Sequence, residues 1–219
     1  MRPAIELIHL TKLYTISHFR RKLVLNDVNL RIPSDVSIGI MGKNGAGKST
    51  LVNLISGVEF PSSGRIARNG LRISWPIGRG GVQGALSAYN NIKFICRVTG
   101  ANFRKSADMV ADLTELGAYM DMPVHTYSSG MKARLMLAMS LIPEYDCYLV
   151  DEGFNAGTPK FTEKFNEVFS RRRERANMLC ISHNPAIIRR FCDKAALLRD
   201  GKLVLFEDIE EAVEIFKTL

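Results

Sequence analysis

Residues 42–49 read Gly42-Lys43-Asn44-Gly45-Ala46-Gly47-Lys48-Ser49, and this stretch decides the fold because it matches the pattern G-x-x-x-x-G-K-[ST]. The apolar run before it, residues 36–41, predicts a buried strand, and apolar residues at helical spacing in 51–55 predict a helix that ends at Gly57. Glycines in such a strand-loop-helix unit turn successive backbone N–H groups inward, and the helix dipole adds positive potential there. The stretch therefore predicts a loop that binds phosphate groups.

A second apolar run, residues 147–150, ends in the acids Asp151 and Glu152. In phosphate loops of this kind the lysine, here Lys48, reaches the β- and γ-phosphates of a nucleotide, and the hydroxyl of Ser49 ligates Mg²⁺. Such a site also needs an acid at the end of a neighbouring strand to organise the metal ion and the attacking water. Strand alternation predicts Asp151 on the metal side and Glu152 beside the water. An apolar run that ends in two acids is commonplace alone, but together with this loop it predicts nucleotide hydrolysis.

Hydrophobic patterning along the rest of the chain predicts alternating strands and helices. Apolar residues alternate with polar ones in 5–7 and 28–32, which predicts strands of a sheet that opens the chain. Helical spacing takes over between residues 84 and 141, and strand patterns resume in residues 147–150, 178–181, 195–198 and 203–205. Asp200-Gly201 predicts a hairpin between the strands in residues 195–198 and 203–205. Asp208 is predicted to cap a closing helix. This order predicts a mainly parallel α/β core.

Composition places the chain among globular proteins. Its 219 residues are 46% hydrophobic, which is enough to bury a sizeable core. No stretch reaches the roughly 18 to 20 consecutive apolar residues of a membrane span, and the first residues lack the apolar region of a signal peptide. We therefore expect a cytosolic location. The cysteines lack metal-ligand spacing, which predicts buried, reduced thiols at Cys96, Cys147, Cys180 and Cys192.

The formal net charge of +8 raises the question of a nucleic-acid or anionic-membrane partner. The densest basic run, residues 171–175, follows an apolar-periodic segment and is interrupted by Glu174. This pattern is typical of the solvated end of a helix. A basic face beside the anionic lipid of an inner leaflet remains an alternative for the same residues.

Residues 127–131, Tyr-Ser-Ser-Gly-Met, precede a helical apolar pattern and carry a family resemblance. The stretch resembles the LSGGQ signature of ABC ATPases, with Ser128 and Gly130 matching, Ser129 at the first Gly position and Met131 at the Gln position. The Ser128 hydroxyl and the backbone N–H groups of a helix start are suited to contact a γ-phosphate. A plain helix N-cap is the alternative interpretation of the same residues.

Further residues match the family in the correct order along the chain. Tyr14 matches the aromatic residue that stacks on adenine, Gln83 the Q-loop glutamine, and His183 the histidine that senses the γ-phosphate. Thr158 departs from the family, which usually has Asp at this position of the D-loop, and this puts communication across a dimer in doubt. The resemblance implies ATP and Mg²⁺ as ligands.

The resemblance assigns roles to individual residues. The residues implied to bind the nucleotide are Tyr14, Gly42, Asn44, Gly45, Ala46, Gly47, Lys48, Ser49, Thr50, Ser128, Ser129 and Gly130. Those implied to hold Mg²⁺ are Ser49, Gln83 and Asp151. Those implied to act in catalysis are Glu152, His183, Gln83 and Lys48.

The family fold is expected to cover the whole chain as one domain, residues 1–219. It comprises a mainly parallel, RecA-like P-loop core and an antiparallel β subdomain at the N-terminus, in residues 1–83 and 145–219. A helical subdomain is expected in residues 84–144. The family also implies a head-to-tail homodimer, in which the signature of one subunit faces the phosphate loop of the other.

Within the family, residues 73–76, 81–86 and 127–135 resemble the ATP-binding proteins of Gram-negative capsular polysaccharide exporters. O-antigen and teichoic-acid exporters share parts of this pattern, but the O-antigen type commonly carries a C-terminal carbohydrate-binding domain and this chain ends at Leu219. The resemblance implies a location at the cytoplasmic face of the inner membrane, peripheral to it. The implied partners are an integral membrane permease and, through it, a periplasmic co-polymerase and an outer-membrane channel.

Two other classes of protein remain as alternatives. The positive charge suits a soluble ABC ATPase that acts on nucleic acid, but such proteins usually carry long coiled coils or a second cassette, so no nucleic-acid partner is expected. A regulatory subunit that hydrolyses ATP weakly is suggested by Ser129, Met131 and Thr158.

Overall fold

A computed structural model describes residues 3–17, 20–151 and 158–218. Contacts between residues divide the chain into two compact units. Each unit is described separately, and only for the residue ranges just given. The first takes in Met1–Pro76, Tyr145–Glu152 and Ala176–Leu219, and the second takes in Ile77–Glu144 and Gly153–Arg175. Residues 158–175 thus group with the second unit, whereas the sequence-based division gave them to the core. The division into a nucleotide-binding core and a helical subdomain stays a prediction.

The first unit contains the strands. They are β1 (Ala4–Ser17), β2 (Arg20–Pro33), β3 (Ile38–Met41), β4 (Ser63–Ala67), β5 (Cys147–Asp151), β6 (Asn177–Ile181), β7 (Lys194–Arg199) and β8 (Lys202–Phe206). β2, β1 and β4 form an antiparallel sheet in that order, with Ile5 of β1 opposite Ile32 of β2. The sequence patterns did not predict β4, because its five residues are exposed or half-buried and have no alternating apolar face.

The second sheet of this unit has the order β5-β6-β3-β7-β8. Its first four strands are parallel, and β8 returns antiparallel to β7 through the predicted hairpin. Ile181 of β6 is the register partner of both Ile40 in β3 and Asp151 in β5. The carboxyl ends of these three strands therefore lie at one edge, the place where open α/β sheets bind ligands.

Helices of the first unit are α1 (Lys48–Ser56), α6 (Pro185–Phe191) and α7 (Ile209–Lys217). Leu51, Val52, Leu54 and Ile55 of α1 are buried and belong to the same hydrophobic cluster as Ile38 and Ile40 of β3. Each such side chain contributes about 1.5–3 kcal/mol when it is fully buried. Burial of this face fixes α1 against the sheet and so fixes where its N-terminus lies.

The second unit is helical. It contains α2 (Ala88–Thr99), α3 (Phe103–Thr114), α4 (Ser129–Ser140), α5 (Pro159–Arg173) and the short 3₁₀ helices Gly117–Asp121 and Val124–Thr126. Phe161, Phe165 and Phe169 are buried along one face of α5. The basic run 171–175 lies at the end of α5 as predicted, with its side chains exposed or half-buried.

Two further sequence-based expectations concern the chain as a whole. All four cysteines are buried and free of disulfides. In the part of the chain that the structure describes, no helix is both long enough and apolar enough to cross a membrane.

Candidate functional site

The phosphate loop, residues 42–47, joins the buried strand β3 to α1 and has glycine where the backbone is most crowded. A Cβ atom on Gly42 would lie 2.5 Å from the Leu198 carbonyl oxygen. Gly47 has a φ of +104°, and a Cβ atom there would lie 2.5 Å from Cγ1 of Val24. No other residue fits these positions without moving the strands behind the loop.

The N-terminus of α1 presents its positive end without a side-chain cap. Its N-cap residue is Gly47, which offers no side chain to the first N–H groups, and its first turn carries no acidic residue. The first turn of a helix has N–H groups without intrahelical partners, and the dipole favours an anion beside them. The geometry therefore suits an anionic group at the start of α1.

Lys48 folds back over the loop that precedes it. Its side chain is 8% exposed, and Nζ donates hydrogen bonds to the carbonyl oxygens of Gly42 at 2.6 Å and Lys43 at 3.1 Å. A buried ammonium requires partners of this kind. The carbonyl groups of the loop thus hold the Lys48 ammonium beside the loop, where a bound phosphate would contact it.

Ser49 and Asp151 meet at the ends of α1 and β5. The Ser49 hydroxyl donates to Oδ2 of Asp151 at 3.3 Å, and Asp151 is 7% exposed. A hydroxyl and a carboxylate are hard oxygen donors of the type that Mg²⁺ takes, usually as one or two protein ligands completed by substrate phosphates and water. Among the residues described, no cluster of three or more His, Cys, Asp or Glu forms a metal site by itself. The donor set therefore fits a metal ion that is shared with a bound phosphate.

Tyr14 lies near the same helix, on strand β1. Its hydroxyl donates to Oε2 of Glu59 at 2.5 Å and lies 3.3 Å from Oγ1 of Thr50. Burial, followed by the hydrogen bond to Glu59, raises the pKa of the Tyr14 phenol. Nζ of Lys12 lies 4.8 Å from the centroid of the ring. The predicted adenine-stacking residue is therefore tied to α1 two residues after Lys48.

A cavity of about 520 Å³ opens beside the phosphate loop in the first unit. It is lined by Lys22, Leu23, Val24, Lys43, Asn44, Gly45, Ala46, Leu198, Arg199, Asp200, Gly201 and Thr218. Three of these residues are cationic and one is acidic, so the lining suits an anionic ligand. The predicted nucleotide-binding residues Asn44, Gly45 and Ala46 all border this cavity.

His183 follows β6 at the same sheet edge. It lies two residues beyond Ile181, the register partner of Asp151, and its side chain is exposed. The next residues begin α6, whose N-cap Asn184 accepts a hydrogen bond from the backbone N–H of Ala186. Glu152, the predicted general base, lies outside the described residues.

Gln83 belongs to the second unit, where a buried amide holds its backbone. Oδ1 of Asn91 accepts from the Gln83 backbone N–H at 2.8 Å, and Nδ2 of Asn91 donates to the Gln83 carbonyl at 3.1 Å. Asn91 is 3% exposed on α2, whereas the Gln83 side chain is exposed. The backbone position of Gln83 is thus fixed while its side chain faces outward.

The segment Ser128–Gly130 begins α4 in the second unit. Ser128 is its N-cap, and Oγ of Ser128 accepts from the Met131 backbone N–H at 3.3 Å. Ser128, Ser129 and Gly130 are exposed, and a Cβ atom on Gly130 would meet nothing within 4 Å. The helix N-cap interpretation is correct as geometry, and the exposed helix start is compatible with the predicted phosphate contact as well.

Thr158 is the N-cap of α5. The family that the chain resembles usually has Asp at this position. Oγ1 of Thr158 accepts from the backbone N–H of Phe161 at 3.4 Å, and Pro159 follows as the first helical residue. Asp and Thr both serve as N-caps. The departure from the family therefore keeps the start of this helix intact.

Sequence reasoning missed three residues that hold predicted site residues in place. Lys12 and Glu59 contact Tyr14, and Asn91 brackets the backbone of Gln83. Asn91 gave a weak signal, as a polar residue next to the apolar positions of an amphipathic helix. Glu59 gave none, because it follows α1 in a loop and matches no motif.

Comparison with known proteins shows what the chain is similar to. Residues 25–155 match the sequence family described as ABC transporter. The chain is 41% identical over 217 residues to the capsule polysaccharide export ATP-binding protein CtrD of Neisseria meningitidis serogroup B, covering 98% of this chain and 99% of that protein. It is 43% identical over 197 residues to the ATP-binding protein BexA of Haemophilus influenzae, covering 89% of this chain and 90% of that protein.

Solved structures share the fold. The ATP-binding cassette MJ0796, solved as a dimer in a post-hydrolysis state with ADP and Pi, superposes with a TM-score of 0.74 at 24% identity. That match covers 91% of this chain and 96% of the other. The likeness confirms the expected α/β P-loop fold with its antiparallel N-terminal sheet and helices.

Proposed function

Since this chain belongs to the ABC transporter family and is an ATPase of that family, we propose that it powers the export of capsular polysaccharide across the inner membrane. The observation that carries the hydrolytic part is the phosphate loop with its buried Lys48 beside the Ser49–Asp151 pair. The substrate class rests on the match to CtrD, which spans nearly the full length of both proteins.

The first unit supplies the groups that bind the triphosphate of ATP. The Lys48 ammonium exchanges its carbonyl partners, Gly42 and Lys43, for phosphate oxygens, while the N–H groups of the loop and of α1 surround them. Tyr14 offers its ring to the base. Ser49 and Asp151 would hold Mg²⁺, which neutralises charge on the phosphate oxygens when it is bound.

Hydrolysis requires a group that positions water in line with the bond that breaks. We assign this role to Glu152, which directly follows Asp151 at the end of β5. A carboxylate there accepts a proton from the attacking water or orients it. His183 follows the adjacent strand and donates a hydrogen bond to the γ-phosphate, which stabilises the charge that develops on it.

The signature segment completes the site from a second copy of the chain. Ser128 and Gly130 are exposed at the N-terminus of α4, so their hydroxyl and N–H groups are accessible to an anion outside their own unit. A head-to-tail homodimer places them against the γ-phosphate bound to the other protomer. ATP then closes the dimer, and hydrolysis reopens it.

The proposed dimer works on a membrane partner. Its partners are an integral membrane permease and, through it, a periplasmic co-polymerase and an outer-membrane channel, with the ATPase peripheral at the cytoplasmic face. The support comes from the relatives, one of which is named for capsule polysaccharide export. No nucleic-acid partner is part of the proposal.

The test of the hydrolytic role is the variant Glu152→Gln, which keeps the shape of the side chain and removes its charge. We expect it to bind ATP as the wild type does, to lose about 10²- to 10⁴-fold in turnover, and to accumulate as an ATP-bound dimer in size-exclusion chromatography. Glu6→Gln, on the first sheet, is the control and should hydrolyse normally. Wild-type turnover in Glu152→Gln would remove this residue from the mechanism.

The substrate is tested in cells whose own capsule-export ATPase gene is deleted, with the matching permease present. The wild-type chain should restore capsular polysaccharide at the cell surface, and Glu152→Gln should not. Restoration of O-antigen or teichoic-acid export in matched strains, without capsule, would replace the proposed substrate by that polymer.

A further inference from the structure

Glu59 sits at the centre of a polar cluster that joins β1 to α1. Its carboxylate accepts from the Tyr14 hydroxyl at 2.5 Å, from Nδ2 of Asn53 at 2.9 Å, and pairs with Nζ of Lys12 at 3.3 Å. Tyr14 and Lys12 lie on the strand, whereas Asn53 lies on the helix. One carboxylate thus fixes side chains from two elements that no local sequence signal brings together.

Lys12 closes one face of the Tyr14 ring. Its ammonium lies 4.8 Å from the ring centroid and donates to the Phe60 carbonyl at 2.8 Å. A cation at this distance is attracted to the face of an aromatic ring. Tyr14 is only half-buried, so part of its side chain remains accessible.

The hydroxyl of Tyr14 also reaches the helix that carries the phosphate loop. It lies 3.3 Å from Oγ1 of Thr50, in the first turn of α1. The hydrogen bond from Tyr14 is the largest cause that lowers the pKa of Glu59, so the carboxyl stays ionised and accepting at neutral pH. The ring therefore has a fixed orientation relative to the start of α1.

We infer that Glu59 is a positioning residue for base recognition, which holds the Tyr14 ring so that a nucleotide base stacks on the face opposite Lys12. This inference rests on the proposed function, since it takes ATP as the ligand. Stacking energy depends on overlap of the two rings, so a ring that rotates freely stacks more weakly. Glu59 then sets affinity for the base, while the phosphate loop holds the triphosphate independently.

The variant Glu59→Gln removes the charge and keeps the size of the side chain. We expect KM for ATP to rise about three- to tenfold with kcat unchanged, because the glutamine oxygen still accepts from Tyr14 but the hydrogen bond loses its charge assistance. Binding of inorganic tripolyphosphate, which has no base, should stay at the wild-type value. Glu6→Gln, whose carboxylate pairs with Arg31 on the same sheet, is the matched control and should change none of the three.

A second pair of variants separates positioning from folding. In a Tyr14→Phe background the ring remains and its hydroxyl is lost, so Glu59→Gln should add little to the KM for ATP. Equal weakening of ATP and tripolyphosphate by Glu59→Gln would show a general defect of α1 and overturn the inference. An unchanged KM for ATP would overturn it too.

A wild-type chain that does not hydrolyse ATP contradicts the proposed function itself. A different result contradicts only the role of Glu59: the wild-type chain hydrolyses ATP, and Tyr14→Ala binds ATP more weakly. In that case Glu59→Gln leaves the KM for ATP unchanged.

Discussion

The phosphate loop and the segment Ser128–Gly130 are both predicted to contact one triphosphate, yet their surroundings differ. In the loop, Lys48 is 8% exposed and hydrogen-bonded, and a side chain on Gly47 would collide with Val24. In the segment, Ser128 is exposed and Gly130 has open space around its Cβ position. The loop is shaped by contacts within its own unit. The polar groups of the segment are exposed, so its role depends on which molecule contacts it.

The two helix starts differ in how their N–H groups are satisfied. Gly47 gives α1 no side-chain cap, whereas the Ser128 hydroxyl accepts from the Met131 N–H of α4. A serine hydroxyl that accepts one hydrogen bond can still donate its own proton. Ser128 is thus able to keep its cap and donate to a phosphate oxygen. The first helix start leaves its N–H groups for the ligand, and the second adds a hydroxyl donor.

The largest expected effect comes from separating the two regions onto different chains. Lys48→Ala disables the loop, and Gly130→Asp sets a carboxylate against the γ-phosphate without a clash in its own unit. Each variant alone should lose about 10²- to 10³-fold in ATP turnover. In a head-to-tail dimer, an equimolar mixture restores one intact site per mixed dimer, so activity should recover to about one quarter of wild type.

The control for this mixture is the wild type mixed with a chain that carries both substitutions. Its mixed dimers contain no intact site, because each site receives one defective region, so only the wild-type homodimers work and activity should be about one quarter of wild type. If each chain held its own complete site, this mixture would instead keep about one half. Both mixtures are assayed by phosphate release at the same total concentration. If the two single variants together were no more active than either alone, sharing of the site between protomers would be excluded.

Much of the phosphate loop and its surroundings could be predicted from the sequence, because the decisive residues lie in short segments. The loop with Lys48 and the acid Asp151 belong to short segments, and burial of their strands places them at one sheet edge. Contacts that depend on distant pairing were out of reach. Tyr14 and Glu59 are 45 residues apart, and only the antiparallel sheet and the packing of α1 bring them together. Strand β4 was missed because it has no buried face.

A pair of glycine substitutions sharpens the contrast in stability. Gly47→Ala forces a side chain towards Val24 at a φ of +104°, and we expect a loss of about 1–3 kcal/mol. Gly130→Ala meets nothing within 4 Å, and alanine is favoured over glycine in a helix by up to about 1 kcal/mol, so stability should hold or rise slightly. Thermal unfolding followed by circular dichroism measures both. A loss of similar size in the two variants would erase the distinction between a packed loop and an open segment.

The smallest expected effect concerns exposed ion pairs that add to the packing between α3 and α5 in the second unit. Glu115 follows α3 and pairs with Lys160 and Lys164 of α5, and these lysine hydrogen bonds lower the pKa of its carboxyl to about 2. Because this folded-state pKa lies below the ordinary value of 4.5, the interaction stabilises fully above about pH 4.5 and is lost as pH falls towards 2. Glu115→Gln should therefore lower the melting temperature slightly at pH 7.

Two conditions should shrink the difference between Glu115→Gln and the wild type. One is acid, as the carboxyl takes up a proton, and the other is molar salt, which screens exposed ion pairs. Glu163→Gln, an exposed carboxylate on α5, is the matched control and should melt as the wild type does at every pH. A loss at pH 7 as large as that of Gly47→Ala, and insensitive to salt, would mean that the second unit depends on Glu115 through packing. The stabilisation assigned to the ion pairs of Glu115 with Lys160 and Lys164 would then be wrong.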